Sequence, residues 1–492
     1  MPGKSGSKEQ LREHNRLVDW GVTFDRKGHP DTLDHDMIAQ RITERERFVY
    51  ISSLDALYIY REGVYRTEGL DGLKKELINF LGPLQKEDGS DLIKTGDIEE
   101  IIRRVKLRAS EPHTIFSQDK NRPLFAVANG ILDLNTYKLI EFAPDIYLQS
   151  KSPTEYNPDA KCDFWLEYLD TILPKEYQKL LQEMFGACLW PGYEFQKAFM
   201  LYGGKRTGKG TTTRTLEAMI GSADCSHISV QGLGERFGPA GLFGKKVNIY
   251  ADLPATPIKD PGRFKGLTGE DPMQVEKKGI DGFDLFNVAK MVFGTNIIPK
   301  LGKDVHDMGA FYDRWIILEY KRSFAGAEDK TIEPRIQCPQ ELSGILNWSL
   351  KGLKRLRSNG WKFSEVVASA KFYERTTEPL ISFLEDDYEA SEDEYIYKKA
   401  LAKAASTYLF SSNLPPISSM KAFGEFMEEQ LIIPVTTGRR GPKNSQDEAW
   451  IGIKRKVPKT NNQSTFIKEA NRYAAKNQQA ATSQQDQQAV TA

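Results

Sequence analysis

The residues Gly203, Gly204, Lys205, Arg206, Thr207, Gly208, Lys209, Gly210, Thr211 and Thr212 form a glycine-rich turn that ends in a lysine and hydroxyl residues. Ala198 to Tyr202, directly before it, is an apolar run long enough for one buried strand. Directly after it, Leu216, Met219 and Ile220 recur at helical spacing until Gly221 supplies a stop. Three further apolar runs follow, Val247 to Ala251, Ala289 to Thr295 and Trp315 to Tyr320, each short enough for a buried strand. Strands alternating with helices in this way predict an α/β core, a mainly parallel three-layer α/β/α sheet over residues 196–330.

A strand, a glycine turn and a helix in that order make a phosphate-binding loop. The glycines let backbone N–H groups close on the β-phosphate, and the helix N-terminus adds partial positive charge. Lys209 then reaches the β- and γ-phosphates. The loop is expected to hold ATP with Mg²⁺. The consensus places Ser or Thr directly after the lysine to bind the metal, and here that place is Gly210. The metal hydroxyl is therefore shifted by one, to Thr211, or replaced by water. A glycine-rich surface turn is the competing reading, and the flanking strand and helix argue against it.

Composition sets bounds. With 492 residues the chain is long enough for about three or four domains. Its 68 basic and 68 acidic residues cancel, so contact with nucleic acid must come from local patches. The four cysteines lie far apart and the six histidines show no metal-ligand spacing, which predicts free thiols and no zinc site. No apolar stretch approaches membrane-spanning length and the first ten residues lack a signal-peptide core, so a soluble, cytoplasmic protein without a membrane partner is expected, in a prokaryotic or virus-infected cell.

Around the core, residues 1–155 read as an N-terminal α+β domain. It opens with a polar mobile arm and a helix from Met37 to Arg47, followed by a β-meander from Phe48 and helices over Leu73 to Phe80 and Ile98 to Val105. Residues 156–195 read as a helical lead-in and 331–384 as a helical extension. The acidic segment 385–394 is expected to separate the core from a last domain. There, two helices, a strand at 431–435, a basic turn and a strand at 449–453 follow the winged-helix order, within 385–456. The tail from 457, rich in Gln, Asn, Ala and Lys, predicts disorder.

Several residues downstream of the loop carry chemistry. Asp252 ends a core strand, where a carboxylate holds Mg²⁺ through water, and Leu253 follows where many ATPases place a glutamate. Residues 275–286 have the form of a β-hairpin with Lys277 and Lys278 at a basic tip. These lysines either hold a phosphodiester backbone or are ordinary solvated ones. Asn296 ends the next strand, placed to sense the γ-phosphate. Arg314 precedes the last strand, where an arginine reaches a neighbouring subunit's nucleotide or simply caps a surface. In the last domain Arg439, Arg440 and Lys443 form the basic turn, with Lys454, Arg455 and Lys456 behind it.

The ordered set resembles the superfamily III helicases, in the phage and plasmid primase-helicase branch related to the poxvirus primase-helicase. It comprises the loop, Asp252, then Lys265, Leu267, Thr268, Gly269 and Asp271, then Thr295, Asn296 and Pro299, and finally Asp313 to Trp315. The resemblance spans about residues 110–456. It implies an AAA+-like ring, usually hexameric, that moves along single-stranded DNA with ATP. Lys209 would bind phosphate, Asp252 the metal, Asn296 would be the sensor, Arg314 the trans-acting finger, and Lys277 with Lys278 the pore hairpin. Asp19, Asp25, Asp31, Asp34 and Asp36 sit in the polar arm, not on strand ends, so a helicase without its own primase centre is expected, with a separate primase or polymerase as partner and forked or origin DNA as substrate. Two other functions compete: a ring ATPase that remodels DNA without processive unwinding, and a winged-helix origin-binding protein in which ATP only switches assembly.

Overall fold

The computed structural model describes residues 6–67, 69–116, 123–302, 308–411, 416–430, 433–441 and 446–456. Lys443 and the tail from 457 lie outside them. The chain divides into two compact units, Met1–Ala370 and Lys371–Ala492.

In the first unit, helices His35–Arg45, Gly69–Leu81 and Thr95–Arg108 close around Ile38, Leu57, Leu77, Ile101 and Val105. Two antiparallel meanders accompany them, Phe48–Ile51 with Ala56–Arg61 and Val64–Arg66, and Leu124–Val127 with Gly130–Asp133 and Lys138–Ile140. The expected mobile arm needs correction. Gly6–Asp19 is helical, Val22–Phe24 pairs with Pro30–Leu33, and Leu17 and Val22 are buried beside Ile38 and Ala39. So few apolar anchors give no readable period, yet they suffice to dock the segment. The aspartates of this region serve structure: Asp34 caps the helix from His35 by accepting the N–H groups of Asp36 and Met37, and Asp36 pairs with Arg104 and Arg108 at 3.2 and 2.8 Å.

The core sheet has five parallel strands. We label β1 (Ala198–Gly203), β2 (Cys225–Ser226), β3 (Val247–Tyr250), a hairpin of β4 (Met273–Lys277) and β5 (Ile280–Leu285), β6 (Lys290–Thr295) and β7 (Trp315–Tyr320). The sheet order is β2-β3-β6-β1-β7. The sequence reading gave four of these strands, because two-residue β2 is too short to show any pattern. Period-two alternation faces the sheet both ways. Phe199, Leu201, Val292, Ile316 and Leu318 pack with helices α1 (Asp163–Ile172), α2 (Lys175–Leu189), α3 (Lys209–Ile220) and, farther along the chain, Pro339–Ser358. On the other face the rings of Phe293 and Trp315 meet Phe264 of the short helix Pro261–Leu267 and Phe311. The helical lead-in expected over 156–195 holds two helices, because Pro174 cannot continue α1 and instead caps the start of α2.

The second unit orders its elements as helix Pro379–Asp387, strand Tyr388–Tyr397, helices Lys398–Ser411 and Met420–Glu429, and strands Thr436–Arg440 and Asp447–Arg455. Phe383, Leu401, Phe423, Met427, Trp450 and Ile453 form its core. The acidic segment is no separator. Its residues end the first helix and form an edge strand on Asp447–Arg455, with Tyr388 opposite Arg455 and Glu389 opposite Lys454. A polar strand with cross-strand charge pairing explains what composition alone presents as a linker. Of the strand expected at 431–435, residues 431–432 lie outside the described residues and 433–435 belong to no strand; the first wing strand is Thr436–Arg440.

Candidate active site

Local geometry explains the loop. Gly208 has φ +95°, and a Cβ there would stand 2.8 Å from the Tyr168 hydroxyl of α1, so a larger residue is excluded twice over. Gly208 caps α3, whose first residue is Lys209. The segment after β7 braces the loop from outside: the Phe324 N–H donates to the Arg206 carbonyl at 2.8 Å, the Ser323 hydroxyl to the Lys205 carbonyl at 3.1 Å, and Arg206 pairs with Glu328. Ser323, Phe324 and Glu328 carry no motif, and sequence reasoning missed them.

Lys209 is buried, and its ammonium donates to the carbonyls of Gly203 and Gly204 at 2.7 and 2.6 Å and to Asn296 Oδ1 at 3.1 Å. Burial lowers its pKa, opposed by the charge of Asp252. Asn296 Nδ2 in turn donates to Asp252 Oδ1 at 3.3 Å. Lys209, Asn296 and Asp252 thus form one hydrogen-bonded chain across the C-terminal ends of β1, β6 and β3, three neighbours in the sheet. Two bonds fix the last pair: the Leu253 N–H donates to the Gly294 carbonyl at 2.8 Å, and the Thr295 hydroxyl to the Ile297 carbonyl at 2.6 Å. Gly294 permits this closeness, since a Cβ there would lie 2.3 Å from the Ala251 carbonyl oxygen.

The two threonines after Gly210 face differently. Thr212 is fully buried, donates to the Gly208 carbonyl at 3.1 Å and meets the Tyr320 hydroxyl at 3.2 Å. Thr211 is half-buried beside Tyr168. Of the pair, only Thr211 is not fully buried, so the residues present fit a hydrated Mg²⁺ held by Asp252 and Thr211, an ion that keeps several of its waters. The glycine cradle and Lys209 fit a triphosphate. Such a metal-bound phosphate would take Lys209 away from the loop carbonyls that now accept its protons.

Arg314 lies elsewhere. It precedes β7, and β7 runs parallel to β1 with Trp315 opposite Ala198 and Tyr320 opposite Gly203. Six residues of strand therefore separate Arg314 from its own loop, about 20 Å. Its guanidinium donates to Gln196 Oε1 at 2.6 Å and to the Thr268 carbonyl at 3.2 Å, and burial lowers its pKa. Gln196, held at φ +48°, is a partner the sequence did not reveal.

The basic surfaces are partly as expected. Lys277 pairs with Ile280 in the ladder, so the hairpin turns on Lys278 and Gly279, and both lysines are exposed at its tip. Arg439 and Arg440 are exposed but stand opposite Glu448 and Asp447 across the wing. Lys454 is committed to Glu389 at 3.4 Å, and the Lys456 ammonium to the Glu385 carbonyl. Among the described residues, no helix is long and apolar enough to cross a membrane.

Residues 35–174 match the family described as D5 N terminal like. Residues 201–308, which include the whole loop, Asp252, the hairpin and Asn296, match a family of unknown function, DUF5906. The first match begins well before residue 110, where the motif resemblance starts, and takes in the first meander and its helices. No curated protein matches the chain. Two solved apo structures of the NrS-1 C terminal region are similar at 13% identity, covering 84% of this chain and 97% and 98% of theirs, with TM-scores of 0.45 and 0.47.

Proposed function

We propose that this chain is the motor subunit of an ATP-dependent DNA helicase with an AAA+-like core, of the superfamily III kind that replicates phages, plasmids and mobile elements. The observation that carries the reading is the chain Lys209–Asn296–Asp252. It sets a phosphate cation, a polar sensor and a metal carboxylate side by side at one end of a parallel sheet, the arrangement NTP hydrolysis requires. The D5-type match supports it independently, because it falls on a different part of the chain from the motifs.

Each residue has a task. Lys209 and the loop N–H groups neutralise the phosphates, Asp252 and Thr211 orient the hydrated metal, and Asn296 positions the attacking water. Arg314 is too far from its own loop to act there and serves a neighbour's, which makes a closed ring, here taken as a hexamer, the working form. Lys277 and Lys278 grip single-stranded DNA. Helix, strand, two helices and two strands give the second unit the order of a winged helix, with Arg439 and Arg440 on its wing for forked or origin duplex; Lys443, outside the described residues, is assigned to the same contact from the sequence alone. A separate primase or polymerase completes replication.

The test is strand displacement on forked DNA with and without ATP, read beside native mass. Wild-type protein should unwind only with ATP and run as a ring. Arg314→Ala should bind ATP yet lose about 10³-fold in turnover, and mixing it with Lys209→Ala subunits should restore part of it. A fully active monomer at every concentration would falsify the ring. One observation favours the switch reading: Leu253 is buried where a water-activating carboxylate is usual, so turnover without unwinding, or none at all, would select it.

A further inference from the structure

The end of the sheet opposite the phosphate loop holds a cavity of about 260 Å³. Tyr147, Phe243 and Phe286 are among the rings that line it, Glu270 and Asp284 bring carboxylates, and Lys246 lines it too. Lys246 is only 6% exposed, and its ammonium makes no hydrogen bond to any described residue. The Phe125 ring lies behind it at 5.9 Å, and the buried Lys290, whose own ammonium donates to the carbonyls of Trp190 and Val288, is its ladder neighbour. An ammonium that opens on a cavity without a protein acceptor is left to water or to a ligand that enters the cavity.

We propose that this cavity receives one unstacked base of a single-stranded nucleic acid, with Lys246 donating to an acceptor on the base and the aromatic rings packing against its face. The inference rests on the single-strand reading given above. Phe286 ties it to that path. It is half exposed and directly follows β5, whose other end is the Lys278–Gly279 tip, about 20 Å away along the strand. A strand gripped at the tip and laid along the hairpin therefore passes the mouth of the cavity. Aromatic stacking tolerates any base, whereas the carboxylates favour bases that carry amino or imino hydrogens. Burial lowers the Lys246 pKa to about 8, opposed by Asp224, and an acceptor from a base would offset that cost.

The experiment measures anisotropy of a labelled oligothymidylate on the full chain, against the same oligonucleotide carrying abasic sites. Wild type should bind the abasic strand about tenfold more weakly, a loss of the size of one base stack. Phe286→Ala, at an exposed position that does not endanger folding, and Lys246→Met, which removes an unpaired charge, should each weaken normal DNA by a similar factor and abolish the difference between the two strands. ATP binding should not change, and this separates failure of the cavity from failure of the motor. Equal binding of normal and abasic strands by wild type would overturn the proposal. So would free thymidine monophosphate bound by wild type and lost in Lys246→Met while strand affinity stays unchanged, since that result assigns the cavity to a free nucleotide.

Discussion

Lys209 and Lys246 are buried cations at opposite ends of one parallel sheet, and they are held in opposite ways. Lys209 follows β1, the sharp loop around it turns two carbonyls toward its ammonium, and the end of β6 brings the Asn296 amide oxygen to it. Lys246 precedes β3, where its backbone is tied by Asp224 and Lys290 but its ammonium finds no acceptor among the described residues. The first end is self-satisfied without a ligand, so the proposed phosphate binding would be an exchange of partners. The second end carries an unmet demand. A ligand cation is thus prepared either by parking it on the backbone that will later release it or by leaving it short of a partner.

The largest break in this comparison should come at the loop. Lys209→Ala is expected to lose on the order of 10²–10³-fold or more in ATP turnover, seen as phosphate release, with an unchanged circular dichroism spectrum. Asp252→Ala should still bind nucleotide and fail to turn it over, because the metal loses its carboxylate. Near-wild-type activity in both variants would remove the distinction between the two ends.

A smaller effect probes the far end through pH. Burial lowers Lys290 to about 7 in the fold, against an unfolded value near 10.5. Between those values the unfolded chain binds the extra proton, so Lys290 makes stability rise with pH across the window, by up to about 1.4 kcal/mol per unit, and adds no slope below about pH 7. Lys290→Met should flatten that rise in denaturant melts taken from pH 7 to 9.5. The slope is the readout, because the carbonyls of Trp190 and Val288 lose a donor and shift absolute stability on their own. A slope identical to wild type would show that Lys290 keeps its charge by means of those carbonyls.

The smallest change sharpens the loop itself. Gly210→Ser restores the consensus hydroxyl, and its Cβ would meet only the far end of Arg214, at 2.9 Å, which can move aside. If Thr211 serves the metal as proposed, the Mg²⁺ concentration for half-maximal turnover should change by less than about threefold. A much larger gain in Mg²⁺ affinity would show that water, not Thr211, fills that position.

Much of the loop end was legible in the sequence because its parts are local or fall at strand ends. Gly203 to Thr212 state their own conformation, and Asp252 and Asn296 follow apolar runs whose length marks where each strand stops. What joined them was not legible. That Asn296 lies between Lys209 and Asp252 follows from β6 inserting between β1 and β3, a pairing of segments some ninety residues apart. Arg314 could be named from its motif, whereas Gln196, which holds it, carries no pattern at all.

The sequence by itself determined the parallel α/β core, the glycine loop and the order of the residues that end its strands, because apolar periodicity and glycine chemistry act over a few residues. The tertiary structure alone decided that the acidic segment is a strand, since its partner is the strand Asp447–Arg455, more than fifty residues away. It also decided that Thr211 rather than Thr212 faces outward, and that Lys246 ends beside a ring-lined cavity without an acceptor. Burial of a charged or polar side chain depends on what distant segments pack around it, and no local pattern records that.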